Sequence, residues 1–254
     1  MARLPTLIDA LARYDRRGRP TIAHIARQVR DAGLIVSSKR GVGAAVMTER
    51  DAATLLLAVC GDSSPQGAVA AVHNLRSLVP DPNDTLRDTQ REEMPEWMEF
   101  LREKISFADA VERLIANAPL IAQWHETYME EWEEEAQGVS EAEFSMQWMV
   151  VKSNAAGGAF RPGYARALRI VSYVPGLAAE IHLGRPWKRL EEIEAFHEHY
   201  APADAWVGAV SDDGARKSNS SGETDCLITI EIGLPTLTAL HAAVNDMPIA
   251  APTS

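Results

Sequence analysis

The chain has 254 residues, 46% of them hydrophobic and 24% charged, with a formal net charge of −11 at pH 7. This is an ordinary globular balance with enough apolar material for a sizeable core, divided into one large domain or two smaller ones. Its longest apolar runs, such as TLLLAVC, fall far short of the ~20 residues a membrane span needs.

The charge is unevenly spread. Residues 1–50 hold ten Lys/Arg and four Asp/Glu, a net of +6, while residues 51–254 hold fifteen Lys/Arg and thirty-two Asp/Glu, a net of −17. A basic head on an acidic body meets polyanions at one end only. The first twenty residues lack the apolar h-region of a signal peptide, which leads to a cytoplasmic expectation. Cys60 and Cys226 belong to no CxxC pair, so neither a zinc site nor a disulfide framework is expected.

In chain order, Leu4, Leu7, Ile8 and Leu11 have helical spacing. DRRGRP then interrupts the pattern with Gly18, Pro20 and three arginines, Arg16, Arg17 and Arg19. A second helix is predicted over 21–32, with Thr21 as its N-cap and Ile22, Ile25, Ala26 and Val29 as its apolar stripe. His24, Arg27 and Gln28 fall on other faces. Gly33 fits the position after a helix end, with Leu34 and Ile35 supplying the hydrophobic contact that follows such a cap. VSSKRGVGAAV places Lys39 and Arg40 before two closely spaced glycines, as in a hairpin or loop. TERD reads as a capping box, Thr48 with Asp51, for a helix running to Gly61. Ser64-Pro65 opens another helix through Val79.

The polar stretch 80–95, with three prolines, reads as a linker. Helical spacing returns with Trp97, Phe100, Leu101 and Ile105, then with a helix capped by Ser106 and Asp109. Pro119 starts LIAQWHETYMEEWEEEAQG. From about 144 the period changes: FSMQWMVVKS, ARALRIVSYV, LAAEIHLG and CLITIEIG read as strands. A helix is predicted over 187–200 and a last one over 235–246, before a short tail. Residues 211–225 read as a polar loop.

The fold class expected is therefore α+β. An all-α, winged-helix-like domain (1–80) is followed by a linker (81–95), then by an acidic module (96–247) of helices leading into a small, mainly antiparallel sheet, and a tail (248–254).

The chemistry concentrates in the head. A helix delivered by a short turn, followed by a wing that grips phosphate, is what major-groove reading requires. Helix 21–32 would present Thr21, His24, Arg27 and Gln28 to base edges. Arg16, Arg17, Arg19, Lys39 and Arg40 would hold phosphates, with the entry arginines near the positive end of the helix dipole. The string IARQVRDAGLI…SKRGVG…MTERDAATLL also resembles the MerR-like winged helix-turn-helix group. Gly33-Leu34-Ile35, Lys39-Arg40-Gly41 and Thr48-Glu49-Arg50-Asp51 stand at the matching places, across about thirty residues. Gln28-Val29-Arg30 stand where that group carries an aromatic pair, and no long coiled-coil helix follows. The resemblance implies a DNA-binding head.

Elsewhere the signals are thinner. Trp124, Tyr128, Glu130, Glu131, Trp132 and Glu134 form an acidic, aromatic segment suited to a basic protein partner. The same spacing also describes a solvent-facing helix with its aromatics turned inward. His197 and His199 in FHEHY would share a face on a strand, but in the predicted helix they diverge by about 200°, so no metal site is expected. No GxSxG, HExxH or P-loop motif is present, and neither an enzyme nor a cofactor is expected. The expectation is a DNA-binding transcriptional regulator of bacterial or phage type. It would bind double-stranded DNA as a homodimer and contact the transcription machinery through the acidic module. A DNA-packaging adaptor of small-terminase kind and a protein-interaction module without a nucleic-acid role are the alternatives.

Overall fold

The computed structural model describes residues 3–36, 45–62, 64–80, 82, 99–100, 103–124, 166–173, 177–184, 195–206 and 227–249. Their order is α1 (Leu4–Ala12), α2 (Gly18–Asp31), α3 (Glu49–Gly61), α4 (Ala68–Arg76), β1 (Val79–Pro80) and α5 (Phe107–Ala116). A helix over 118–124 (α6) follows. Then come β2 (Arg166–Tyr173), β3 (Leu177–Gly184), β4 (Ala195–Ala201), β5 (Leu227–Gly233) and α7 (Leu234–Val244). The class is α+β: a helical layer covers one face of an antiparallel sheet whose strand order is β1-β4-β3-β2-β5. Among the described residues no helix is long and apolar enough to cross a membrane.

Helix α3 is the axis of the helical layer. Every residue from Asp51 to Cys60 is buried, and α3 touches α1, α2, α4, α5, α7 and β2. Its sequence, DAATLLLAVC, shows no narrow apolar stripe because a helix enclosed on all sides needs none. Its start is the predicted capping box. Thr48 accepts from the Asp51 N–H, and the Asp51 carboxylate accepts from the Thr48 N–H at 2.9 Å. At α5 the Ser106 hydroxyl oxygen accepts from the Asp109 N–H at 3.2 Å, and the hydroxyl donates to the Asp109 carboxylate at 2.8 Å.

The end of α2 is also as the sequence implies. Gly33 has φ +76°, the left-handed conformation that a side chain disfavours. Leu34 N–H reaches the Val29 carbonyl and Gly33 N–H reaches that of Arg30, both at 2.9 Å, which satisfies carbonyls the helix leaves open. The start of α2 differs from expectation. The helix begins at Gly18, not after Thr21, with Pro20 in its first turn, where a missing N–H costs nothing. Thr21 lies within the helix, and its hydroxyl donates to the Arg17 carbonyl at 3.1 Å.

Three further expectations are corrected. The helix predicted through Val79 begins only at Ala68, after a turn in which the Asp62 carboxylate accepts from Ser64 N–H. It ends at Arg76, and Val79-Pro80 pair instead with Ala201 and Tyr200 of β4. The helix predicted over 96–105 is not present in its described parts beyond a short turn at 99–100, and residues 103–106 lead non-helically into the extended N-cap Ser106. The helix predicted over 187–200 is, across Ala195–Ala201, the strand β4, paired with β3 on one side and β1 on the other. Ladder hydrogen bonds from both sides outweigh the weak helical preference of AFHEHYA.

One hydrophobic core runs through all of this. It joins Leu7, Ile25 and Leu56 to Phe107, Leu114, Ile181, Tyr200 and Leu240. The core thus continues across the segment read as a linker. α7 packs on α1, α3 and α5, and Phe107 donates its N–H to the Leu78 carbonyl at 3.0 Å. Phe107 and Tyr200 meet ring to ring, 5.2 Å between centroids and tilted by 54°, a favourable aromatic geometry. Arg76 ties three helices together, bonding Thr54 Oγ1 at 2.6 Å and Glu112 Oε1 at 3.2 Å. The strand expected over 144–153, the loop over 211–225 and the end of the tail lie outside the described residues.

Candidate nucleic-acid interface

The candidate surface centres on α2. Its apolar stripe, Ile22, Ile25, Ala26 and Val29, is buried against the core. At 100° per residue the opposite stripe is Pro20, His24, Arg27 and Asp31, and all four are exposed. Arg27 therefore sits mid-helix on the outer face. Gln28 is half-buried on its flank, where its amide nitrogen lies 3.2 Å from Nε2 of His24. His24, Arg27 and Gln28 are thus one contiguous polar patch at i, i+3 and i+4. Thr21 is half-buried and its hydroxyl is engaged with the backbone, so it is set apart from that patch.

The arginines before α2 divide into two kinds. Arg16 is exposed and makes no hydrogen bond or ion pair among the described residues, and the same holds for Arg27. Arg19 is exposed and pairs with Asp9 across the α1–α2 corner, an exposed pair of little energetic weight. Arg17 is different, and the expectation that it holds phosphate is corrected. Its guanidinium donates to the Asp15 carboxylate at 2.6 Å, to the Val59 carbonyl at 2.6 Å and to the Asp62 carbonyl at 3.2 Å. It satisfies carbonyls at the end of α3 and locks α2 against that helix.

Asp15 completes this lock. Burial pushes its carboxyl up, but hydrogen bonds and charge from Arg17 outweigh that and leave its pKa lowered. Its oxygen also accepts the Arg17 N–H at 2.8 Å, directly before α2. The positive end of α2, expected to meet phosphate, thus already faces an internal carboxylate. Cys60 lies beneath this corner, and burial pushes its thiol up to about 12, which makes it an inert core residue.

The chain leaves α2 through Gly33 and runs to Val36, then returns at Ala45. Both ends of this excursion are held by one buried carboxylate. Asp51 accepts from Val36 N–H at 3.3 Å and from Thr48 N–H and Oγ1 at 2.9 Å. The expected wing residues Lys39 and Arg40 stand between those ends and lie outside the described residues. In the acidic segment, Trp124 is half-buried and packs against the core. Tyr128, Glu130, Glu131, Trp132 and Glu134 lie outside the described residues.

Sequence reasoning could not separate Arg17 from Arg16 and Arg19. The three are adjacent in the chain, but Arg17's partners at Val59 and Asp62 are more than forty residues away. The role of Asp51 was half visible: its capping function follows from TERD, while its bond to Val36 depends on the tertiary path. No family model, curated protein or solved structure matches the chain.

Proposed function

We propose that the chain is a DNA-binding transcriptional regulator that meets duplex DNA through α2 and the basic segment following it. One observation carries this reading. Within residues 1–50, whose net charge is +6, Arg27 is exposed at the middle of a helix whose opposite face is fully buried, with His24 and Gln28 beside it. Arginine and glutamine side chains are suited to guanine and adenine edges. Arg16 and Arg19 flank the start of that helix, and Lys39 and Arg40 follow its end, as phosphate contacts. Arg17 and Thr21 have no part in this surface, since their polar groups are engaged within the protein. The body's −17 repels DNA elsewhere and so confines binding to this end.

The test is a mobility shift on random-sequence duplex at two salt concentrations, repeated for Arg27→Ala and for a Lys39→Ala/Arg40→Ala double variant. Loss of one such contact costs about 1–3 kcal/mol, so each variant should bind roughly tenfold or more weakly, and the double variant should show a shallower salt dependence. Unchanged affinity in both variants refutes the reading. A ring-like stoichiometry in solution, with DNA affinity retained, replaces the regulator with a packaging adaptor.

A further inference from the structure

Gln28 and His24 meet on the exposed flank of α2. The amide nitrogen of Gln28 lies 3.2 Å from Nε2 of His24. The two residues are about one helical turn apart, at i and i+4, where side chains on a helix touch. His24 is exposed, and Gln28 is half-buried at the edge of the same face. Among the described residues neither side chain has another hydrogen bond or ion pair. This contact therefore decides how the Gln28 amide is turned.

The chemistry of the two groups fixes the direction of the bond. An amide NH2 group donates and does not accept, so Nε2 of His24 supplies the lone pair, and the neutral ring carries its proton on Nδ1. The bond occupies one of the two amide N–H groups. The other N–H and the Oε1 carbonyl remain, side by side, for a partner. One donor beside one acceptor is the complement of adenine in the major groove, which offers N7 as acceptor and its N6 amino group as donor. Guanine offers two acceptors there, N7 and O6. To meet guanine the amide would have to turn, and its Oε1 would then face the lone pair of Nε2.

We infer that His24 is a positioning residue, which holds the Gln28 amide in the orientation that selects adenine over guanine. The inference rests on the reading of α2 as the helix that faces the major groove. His24 acts through Gln28 and needs no base contact of its own. Arg27, exposed beside the pair, supplies the guanine contact.

The experiment has two arms, both on the full chain. The first needs no DNA. Nitrogen NMR of the isotope-labelled chain in alkaline buffer reads which ring nitrogen of His24 holds the proton, with the signals assigned by their loss in His24→Phe. The expected result is a protonated Nδ1 and a bare Nε2, and a proton on Nε2 of the neutral ring overturns the inference. The second arm selects a preferred site from random-sequence duplex, then compares it with the same site carrying guanine in place of adenine. The native chain should prefer adenine roughly fivefold or more, at a position where Gln28→Ala removes the preference. His24→Phe keeps a ring and loses the acceptor, and should cut the preference roughly two- to tenfold. His24→Gln, whose side-chain carbonyl can accept the same N–H, should restore it. The ratio between the two sites cancels any change in affinity that is independent of sequence. An adenine preference equal in the native chain and His24→Phe overturns the inference and leaves DNA binding by α2 standing, and so does the lack of any adenine position relaxed by Gln28→Ala. Failure of the native chain to bind duplex at all overturns both the inference and the reading beneath it.

Discussion

Asp51 offers the sharpest test of how the head is held together. Its side chain is 4% exposed and receives three donors: Thr48 N–H, Thr48 Oγ1 and Val36 N–H. Asp51→Ala removes the half of the capping box made by Thr48 N–H, together with the bond from Thr48 Oγ1. The two 2.9 Å bonds from Thr48 to a buried carboxylate are charge-assisted, worth about 1.5–3 kcal/mol apiece in full burial, but Thr48 itself is exposed and water recovers much of that. The 3.3 Å bond from Val36 adds little, since Val36 is 60% exposed. The sum is about 2–3 kcal/mol. Asp109→Ala is the control: it removes only the 2.8 Å bond from the Ser106 hydroxyl to an exposed carboxylate and leaves the Ser106 cap on the backbone in place, so the loss is at most about 1 kcal/mol. At roughly 2–4 °C per kcal/mol for a chain of this size, melting followed by circular dichroism should fall by about 5–10 °C for Asp51→Ala and by about 2–4 °C for Asp109→Ala. Equal losses in the two variants would refute the argument, because they would mean that the buried carboxylate does no more than an exposed one.

Two further outcomes follow from the same corner of the fold. Gly33→Ala should lose about 1–2 kcal/mol in urea unfolding, with the m-value unchanged: a Cβ there meets nothing within 4 Å, so the loss reports only the φ of +76°. The stability gap between the native chain and Asp15→Asn should be widest near neutral pH. The folded carboxyl titrates below its usual value, so its contribution is complete above the unfolded aspartate range near about 4 and is lost as pH falls through the lowered folded pKa. A gap that stays constant down to pH 2 in urea titrations would remove the charge from the explanation.

How much of this was legible beforehand depends on the range of the interaction concerned. Thr48 and Asp51, and Ser106 and Asp109, lie three residues apart, and Gly33 closes bonds within five. Such devices can be read from adjacent letters, as can the alternation that yields β2, β3 and β5. The apolar positions of α1 and α2 repeat at helical spacing, and the same residues fill the core. The basic head is likewise a property of composition, although composition cannot tell which cation is already paired.

What the tertiary structure decided was every outcome that depends on a distant partner. AFHEHYA has no strong preference of its own, and it is a strand because β3 and the two-residue β1 offer ladder hydrogen bonds on both sides. That pairing also brings His197 and His199 onto one face, opposite His182 and Glu180. Arg17 left the set of expected phosphate contacts because carbonyls at Val59 and Asp62 lie within its reach. The segment read as a linker divides no core, because α7 returns from the far end of the chain to pack on α1 and α3. Local letters determine which elements form and where they stop. Burial and pairing between segments far apart in the chain determine which side chains remain to meet a partner.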